Sequence, residues 1–293
     1  MTLWLAVPAV VVLVAVGGMV AVARHYRTPR VPHSRSPEEL GIGFEEIRFP
    51  TVGGKTLCGW WIPAVRPRVD DPVTVILVHG WGRNVDRLLQ YVPRLHAAGC
   101  DLLAFDARSH GSSDEDGTSN MVKFSEDIRA AVDETLRRGR SGARVAVLGL
   151  SVGGAGAIHA AANDERIRAV VTVGAFAAPA DLMRNELQSR RLPGPAVAAI
   201  LRYAELSIGA RLDEIAPETQ IARIDAPVLL VHGEDDVIVP VEHARRLAAA
   251  GGTNVRLLLL DCRGHSDCDR DDRFWPEVER VLGVGTSPAR PGN

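Results

Sequence analysis

Lysine is nearly missing from this chain of 293 residues. Lys55 and Lys123 are the two it has, and arginine supplies the rest of the positive charge. Nothing functional is read into that bias. An excess of positive charge is missing too: 34 basic residues face 36 acidic ones, a formal net charge of −2. That balance argues against a dedicated nucleic-acid binder. Four cysteines are too few for a disulfide-dense scaffold. No internal repeat is visible. What is plentiful is apolar: 46% of the residues, against 24% charged. That composition excludes a disordered or collagen-like chain and can fill one large core or two small ones.

Charge is also missing from one continuous stretch. Residues 3–23 hold 21 positions without a charged side chain. As a helix this run is about 30 Å long, the thickness of a bilayer's hydrocarbon core. Trp4 and Tyr26 flank it, and Arg24, Arg27, Arg30 and Arg35 follow it. The expectation is a single-pass transmembrane helix whose contact is membrane lipid, with the rest of the chain in the cytoplasm by the positive-inside rule. Export after signal-peptide cleavage is the alternative, since Ala21-Val22-Ala23 has the form of a cleavage site. The basic n-region and the shorter apolar core of a signal are absent. Residues 24–43, with three prolines among arginines, read as a linker against the headgroups. Residues 284–293 read as a loose tail.

The body, 44–283, alternates strand and helix patterns. Strands are expected at 44–50 and 56–62 as a hairpin around Gly53-Gly54, then at Val73–Val78, Asp101–Phe105, 144–148, Ile167–Val173, 228–231 and Val255–Leu260. Helices are expected at 84–98, 124–138 (with Ile128, Ala131, Val132 and Leu136 on one face), 152–162, 241–250 and Phe274–Leu282. This order predicts an α/β fold: a mostly parallel central sheet with an antiparallel start and helices on both faces. Residues 175–224 break the rhythm. They read as a small helical cap over the C-terminal strand ends, where open α/β sheets bind ligands.

Gly149-Leu150-Ser151-Val152-Gly153 has the form G-x-S-x-G between an expected strand and an expected helix. A nucleophile on a strained strand-to-helix turn needs very small neighbours two residues away on each side. His79-Gly80-Trp81-Gly82 follows the Val73–Val78 strand. On these motifs the body resembles the alpha/beta-hydrolase fold family, most of all its serine esterase and serine aminopeptidase-like branch. The resemblance implies Ser151 as nucleophile and the backbone N–H groups of Trp81 and Val152 as an oxyanion hole. His79 is then structural. The stretch from Phe105 to Ser113 resembles the family's turn after the next strand, with Ser109 where glycine is usual. Asp106 and His110 read as groups that fix this loop.

In the family the acid stands three residues after Gly233 and four before Pro240, which selects Asp236, with Asp235 as its neighbour. Asp181 is an alternative that some relatives use. The histidine must follow the acid in chain order, leaving His243 and His265. His243 falls on a helix just behind the acid and reads as a helix-surface histidine. His265, in the loop after the Val255–Leu260 strand, can reach both Ser151 and Asp236. Cys262, His265 and Cys268 have metal-like spacing, but no second close pair completes a structural zinc site, so no metal and no cofactor are expected. The cap arginines 184, 190, 191, 202 and 211 read as a wet face.

The resemblance therefore implies a serine hydrolase acting on a small acyl-containing substrate, an ester, a thioester or a small amide, through an acyl-enzyme. A carboxylic ester comes first and a peptide second. An acyltransferase with the same triad and a non-catalytic binding module on this fold are the alternatives. No nucleic-acid partner is expected.

Overall fold

The computed structural model describes Arg24 and residues 26–66, 71–138, 142–261, 263–265 and 267–284. Gly53 and Gly54, at φ +73° and +68°, reverse the chain between β1 (Glu45–Thr51) and β2 (Lys55–Ile62). Side chains disfavour that left-handed backbone and glycine does not. Then follow β3 (Val73–Val78), β4 (Asp101–Phe105), β5 (Arg144–Leu150), β6 (Ile167–Val173), β7 (Val228–Gly233) and β8 (Val255–Leu260). Among the described residues these form one eight-stranded sheet in the order β1-β2-β4-β3-β5-β6-β7-β8. β1, β2 and β4 pair antiparallel and every later pairing is parallel.

The sheet is covered on both faces, so its central strands are mostly apolar and buried throughout: every residue of β3 and β4 is buried. One core contains Phe124, Ile128 and Val132 of the Met121–Arg138 helix, Ile158 of the Val152–Ala161 helix and Leu247 of the Glu242–Ala250 helix. The other holds Val85, Leu88, Val92 and Leu95 with Phe274, Val278 and Leu282. Because β4 lies on one side of β3 and β5 on the other, the chain changes its direction of winding there. The loops after β3 and β5 meet at that switch point, where α/β sheets open a crevice.

Between β6 and β7 stand the helices Pro179–Ser189, Gly194–Ile208 and Pro217–Gln220. The cap arginines 190, 202 and 211 are exposed and Arg184 is half-buried; the four pair locally with Glu186, Glu205, Asp213 and Asp181 respectively.

Several expectations need correction. The helix expected over 84–98 is a 3-10 turn, Val85–Leu88, followed by a short helix, Val92–Ala97. Pro93 lacks the N–H that a continuous helix would use at that point. Leu136 is exposed and Thr135 is buried instead. At 100° per residue Leu136 lies about 80° from Ile128, off the buried stripe. The stretch 24–43 is not a free linker, since its described residues bind the body. His33 Nε2 meets Asp106 Oδ2 at 2.6 Å, Ser34 N and Oγ both donate to Asp86 Oδ2, and Asn84 Nδ2 donates to the carbonyls of Val31 and Pro32. Two carboxylates, Asp106 and Asp86, position this stretch on the body through His33 and Ser34. The expected span at 3–23 lies outside the described residues, as does the tail from 285 onward. Among the described residues no helix is long and apolar enough to cross a membrane.

Candidate active site

Ser151 sits between β5 and the Val152–Ala161 helix at φ +53° and ψ −120°. A non-glycine residue in that region stores about 1–3 kcal/mol of backbone strain and persists only where its surroundings enforce it. The surroundings are visible. A Cβ on Gly149 would lie 2.4 Å from the Gly153 carbonyl oxygen, and one on Gly153 would lie 2.4 Å from that of His79. The turn can close only because both positions are glycine. The Ser151 amide donates to Val173 O at 2.8 Å, tying the turn to the end of β6.

The residue directly after β6, Gly174, marks the centre of the candidate site. It has φ +66°, and a Cβ there would fall 3.0 Å from both Cε1 and Nδ1 of His265 and 3.5 Å from Asp236 Oδ2. The His265 ring thus lies against bare backbone one residue from the carbonyl that holds Ser151. His265 Nδ1 meets Asp236 Oδ2 at 2.6 Å. The adjacency of β7 and β8 makes this possible, because the loops leaving two parallel neighbours emerge side by side. Gly233 lets them close: its Cβ would lie 2.1 Å from Arg263 O.

Asp236 is 5% exposed, whereas Asp235 is exposed and turns outward. Burial by itself would raise the Asp236 carboxyl. The hydrogen bond from His265, with the amides of Val239 and Ile238 each donating to Oδ1 at 2.9 Å, outweighs it and holds the group below its ordinary value. The group is therefore a carboxylate near neutral pH.

Asp181, the alternative acid, is placed elsewhere. It opens the first cap helix and binds Arg184 and Arg246, each at 2.7 Å. His243 is not a helix-surface residue. It is 4% exposed, and its Nδ1 accepts the Ala177 amide at 3.2 Å. His243 and Leu247 share the inward face of their helix, and the histidine fastens the start of the cap.

The loops after β3 and β4 are held together by buried groups. His79 Nε2 accepts the Ala107 amide at 3.0 Å, and Nδ1 donates to Gly80 O at 2.8 Å. Burial pushes the His79 ring down, away from protonation. Asp106 accepts the amides of Val85 and Ser112, and His110 Nε2 accepts that of Gly82. Ser109 takes φ +64°, the conformation for which glycine is usual at that position. Its hydroxyl offsets the strain by donating to Gly117 O and accepting from Asp116 N, both at 2.9 Å. Arg108, whose Nε is 2.7 Å from the buried Asp127 carboxylate, braces the same loop.

Above these elements lies a cleft of about 860 Å³ that includes Ser151, Val152 and Trp81 in its wall, together with Ile238 and Val239 of the Asp236 loop. Phe176, Leu182, Met183, Ile200, Tyr203 and Leu212 make its cap side apolar. Val152 opens its helix, so its amide has no acceptor within the helix. Cys268 is buried and unbridged, and burial pushes its thiol up to about 12. Cys262 lies outside the described residues, and among those described no cluster of three or more metal-type ligands occurs.

Gly174 escaped the sequence reading. Its signal was faint: a glycine directly after a buried strand, at the carboxyl ends of the strands where G-x-S-x-G also begins.

A family model described as serine aminopeptidase, S33 matches residues 71–206. The uncharacterized protein YfhR of Escherichia coli K12 is 28% identical over 255 residues, which cover 85% of this chain and 83% of YfhR. Among solved structures, the esterase Pf2001 of Pyrococcus furiosus aligns with a TM-score of 0.70 at 22% identity, over 88% of this chain and 100% of its own. The esterase domain of a Rhodothermus marinus protein aligns at 0.56 and 24% identity, over 83% of this chain and 100% of its own.

Proposed function

We propose that this chain, which has the alpha/beta-hydrolase fold, works as a serine hydrolase on acyl esters, with Ser151, His265 and Asp236 as its triad. The observation that carries the reading is the 2.6 Å contact between His265 and Asp236, packed against Gly174 one residue from the carbonyl that anchors Ser151.

In this reaction Ser151 Oγ attacks the acyl carbonyl carbon. His265 Nε2 takes the hydroxyl proton and then delivers it to the leaving alcohol as the C–O bond breaks. Asp236, already ionised, keeps the Nδ1 proton facing itself and stabilises the imidazolium. The amides of Trp81 and Val152 receive the developing oxyanion, at the positive end of the Val152–Ala161 helix. Water then attacks the acyl-enzyme by the same route in reverse roles. The apolar cap side of the cleft supports a hydrocarbon acyl group. The esterase neighbours support an ester over an amide. The experiment is fluorophosphonate labelling of the full chain with an ester-hydrolysis assay. Wild type labels and turns over. Ser151→Ala stays folded, does not label, and loses several orders of magnitude in rate. Labelling that persists in a folded Ser151→Ala protein refutes the assignment.

A further inference from the structure

The stretch that follows the uncharged run builds a second cavity beside the first. Arg24, Arg27, Thr28 and Arg30 line one side of a recess of about 420 Å³, with Glu115 and Gly117 opposite. Three guanidinium groups against one carboxylate leave it cationic. Arg27 and Glu115 meet at 3.3 Å, but both are more than half exposed, so water screens the pair. Arg30 is held by its Nη2 on the carbonyls of Ser113 and Gly111, at 2.6 and 2.9 Å. Carbonyls fix the guanidinium without neutralising it.

Two buried hydroxyl groups at these cavities have no hydrogen-bond partner. Thr28 is 6% exposed, and its Oγ1 is buried with no hydrogen-bond partner. Such an unmet donor is a cost that a ligand oxygen removes. Gly117 lines both this recess and the Ser151 cleft. Two residues further on, Ser119 stands in the cleft wall with its own Oγ buried and unpartnered. Each cavity thus has one residue with an unmet hydroxyl in its lining, Thr28 in the recess and Ser119 in the cleft, and Gly117 lines both.

We propose that the arginine recess binds an anionic group, a phosphate, carried by the same acyl ester whose hydrocarbon part fills the cleft. Guanidinium groups match a tetrahedral oxyanion with several acceptors, and the Thr28 hydroxyl adds a neutral donor. The substrate class is then an acylated phosphate-bearing alcohol. This inference rests on the hydrolase reading above. The same phosphate chemistry has a second source, the headgroups of a bilayer, and the test separates the two.

The test compares 1-octanoylglycerol 3-phosphate with 1-octanoylglycerol, both kept monomeric, on the purified full chain. The expected result is a kcat/KM ratio of about ten or more in favour of the phosphate ester. Arg27→Gln and Thr28→Val each lower that ratio several-fold, whereas Arg256→Gln, at the far sheet edge beside Glu277, leaves it unchanged. A ratio near one in wild type overturns the proposal, and so does a preference that survives Arg24→Gln/Arg27→Gln. Arginine-dependent binding to phosphatidylglycerol vesicles with a ratio near one assigns the recess to a membrane surface and also overturns it. Fluorophosphonate labelling distinguishes the levels. If Ser151 does not label and neither ester is cleaved, the hydrolase reading has failed. If Ser151 labels and the phosphate ester is not preferred, the subsite alone has failed.

Discussion

Adding one methyl group at Gly174 tests the centre of the proposed site without substituting any member of the triad. The alanine Cβ would lie 3.0 Å from Cε1 and Nδ1 of His265. Comfortable carbon contacts begin at about 3.5 Å, so the ring must retreat by a few tenths of an ångström, away from Ser151 or against Asp236. The substitution also forces alanine to φ +66°, which costs about 1–2 kcal/mol, partly offset by about 0.4–1 kcal/mol from a stiffer unfolded chain. These two effects need separating, and Gly53→Ala does so. Gly53 has φ +73° with nothing within 4 Å of its would-be Cβ, in the β1–β2 hairpin. Both variants should therefore lose about 1 kcal/mol, a fall in Tm of about 2–4 °C. Only Gly174→Ala should lose activity as well. A misplacement of about 1 Å can cost about a hundredfold, so a few tenths should lower kcat by about tenfold. The assay is steady-state hydrolysis of a short-chain chromogenic ester beside thermal unfolding of each variant. If Gly174→Ala matches Gly53→Ala in turnover, the ring contact has no part in catalysis and the argument is refuted.

Other expectations follow from the same geometry. Asp236→Asn should lower turnover by at least about a hundredfold and Asp235→Asn by less than about threefold, because the first carboxylate is buried on His265 and the second is exposed; equal small losses in steady-state kinetics would sink the assignment. His265→Ala should abolish activity with little change in Tm, while His243→Ala should destabilise by about 1–3 kcal/mol through the orphaned Ala177 amide, measured by urea unfolding; the reverse pattern would exchange their roles. His110 is pushed down to about 3 by burial, with the nearby His79 adding to the effect. Its unfolded form protonates near pH 6.5 and its folded form does not, so the unfolded state binds the extra proton between those values. Stability should then be full above about pH 6.5 and fall on acidification by up to about 1.4 kcal/mol per pH unit until about pH 3. His110→Gln should flatten that slope in chemical denaturation series, and an unchanged slope would contradict it.

Ser151 was legible in five consecutive residues because its constraint is local. The strained turn needs glycine at 149 and 153 whatever the rest of the molecule does, and alternation of apolar runs shows the strand before it and the helix after it. The continuous apolar strands and the α/β order were legible for a similar reason, since a strand buried on both faces has no polar side to alternate with. Asp236 rested on its spacing between Gly233 and Pro240, and the structure separates it from Asp235 by burial. His243 shows the limit of periodicity. A helix pattern says which residues share a face, but only the packed sheet and cap decide that this face turns inward. The arm before β1 shows it again. Its prolines and arginines read as a linker because the groups that hold it, Asp86 and Asp106, lie 52 and 73 residues away from Ser34 and His33. Local chemistry therefore determined, from the sequence alone, the kind of turn on which Ser151 sits and the class of sheet that carries it. Which histidine meets which carboxylate, and that the His265 ring lies against the bare backbone of Gly174, was decided only when β6, β7 and β8 lined up side by side, because contact between residues far apart in sequence is a property of the folded packing.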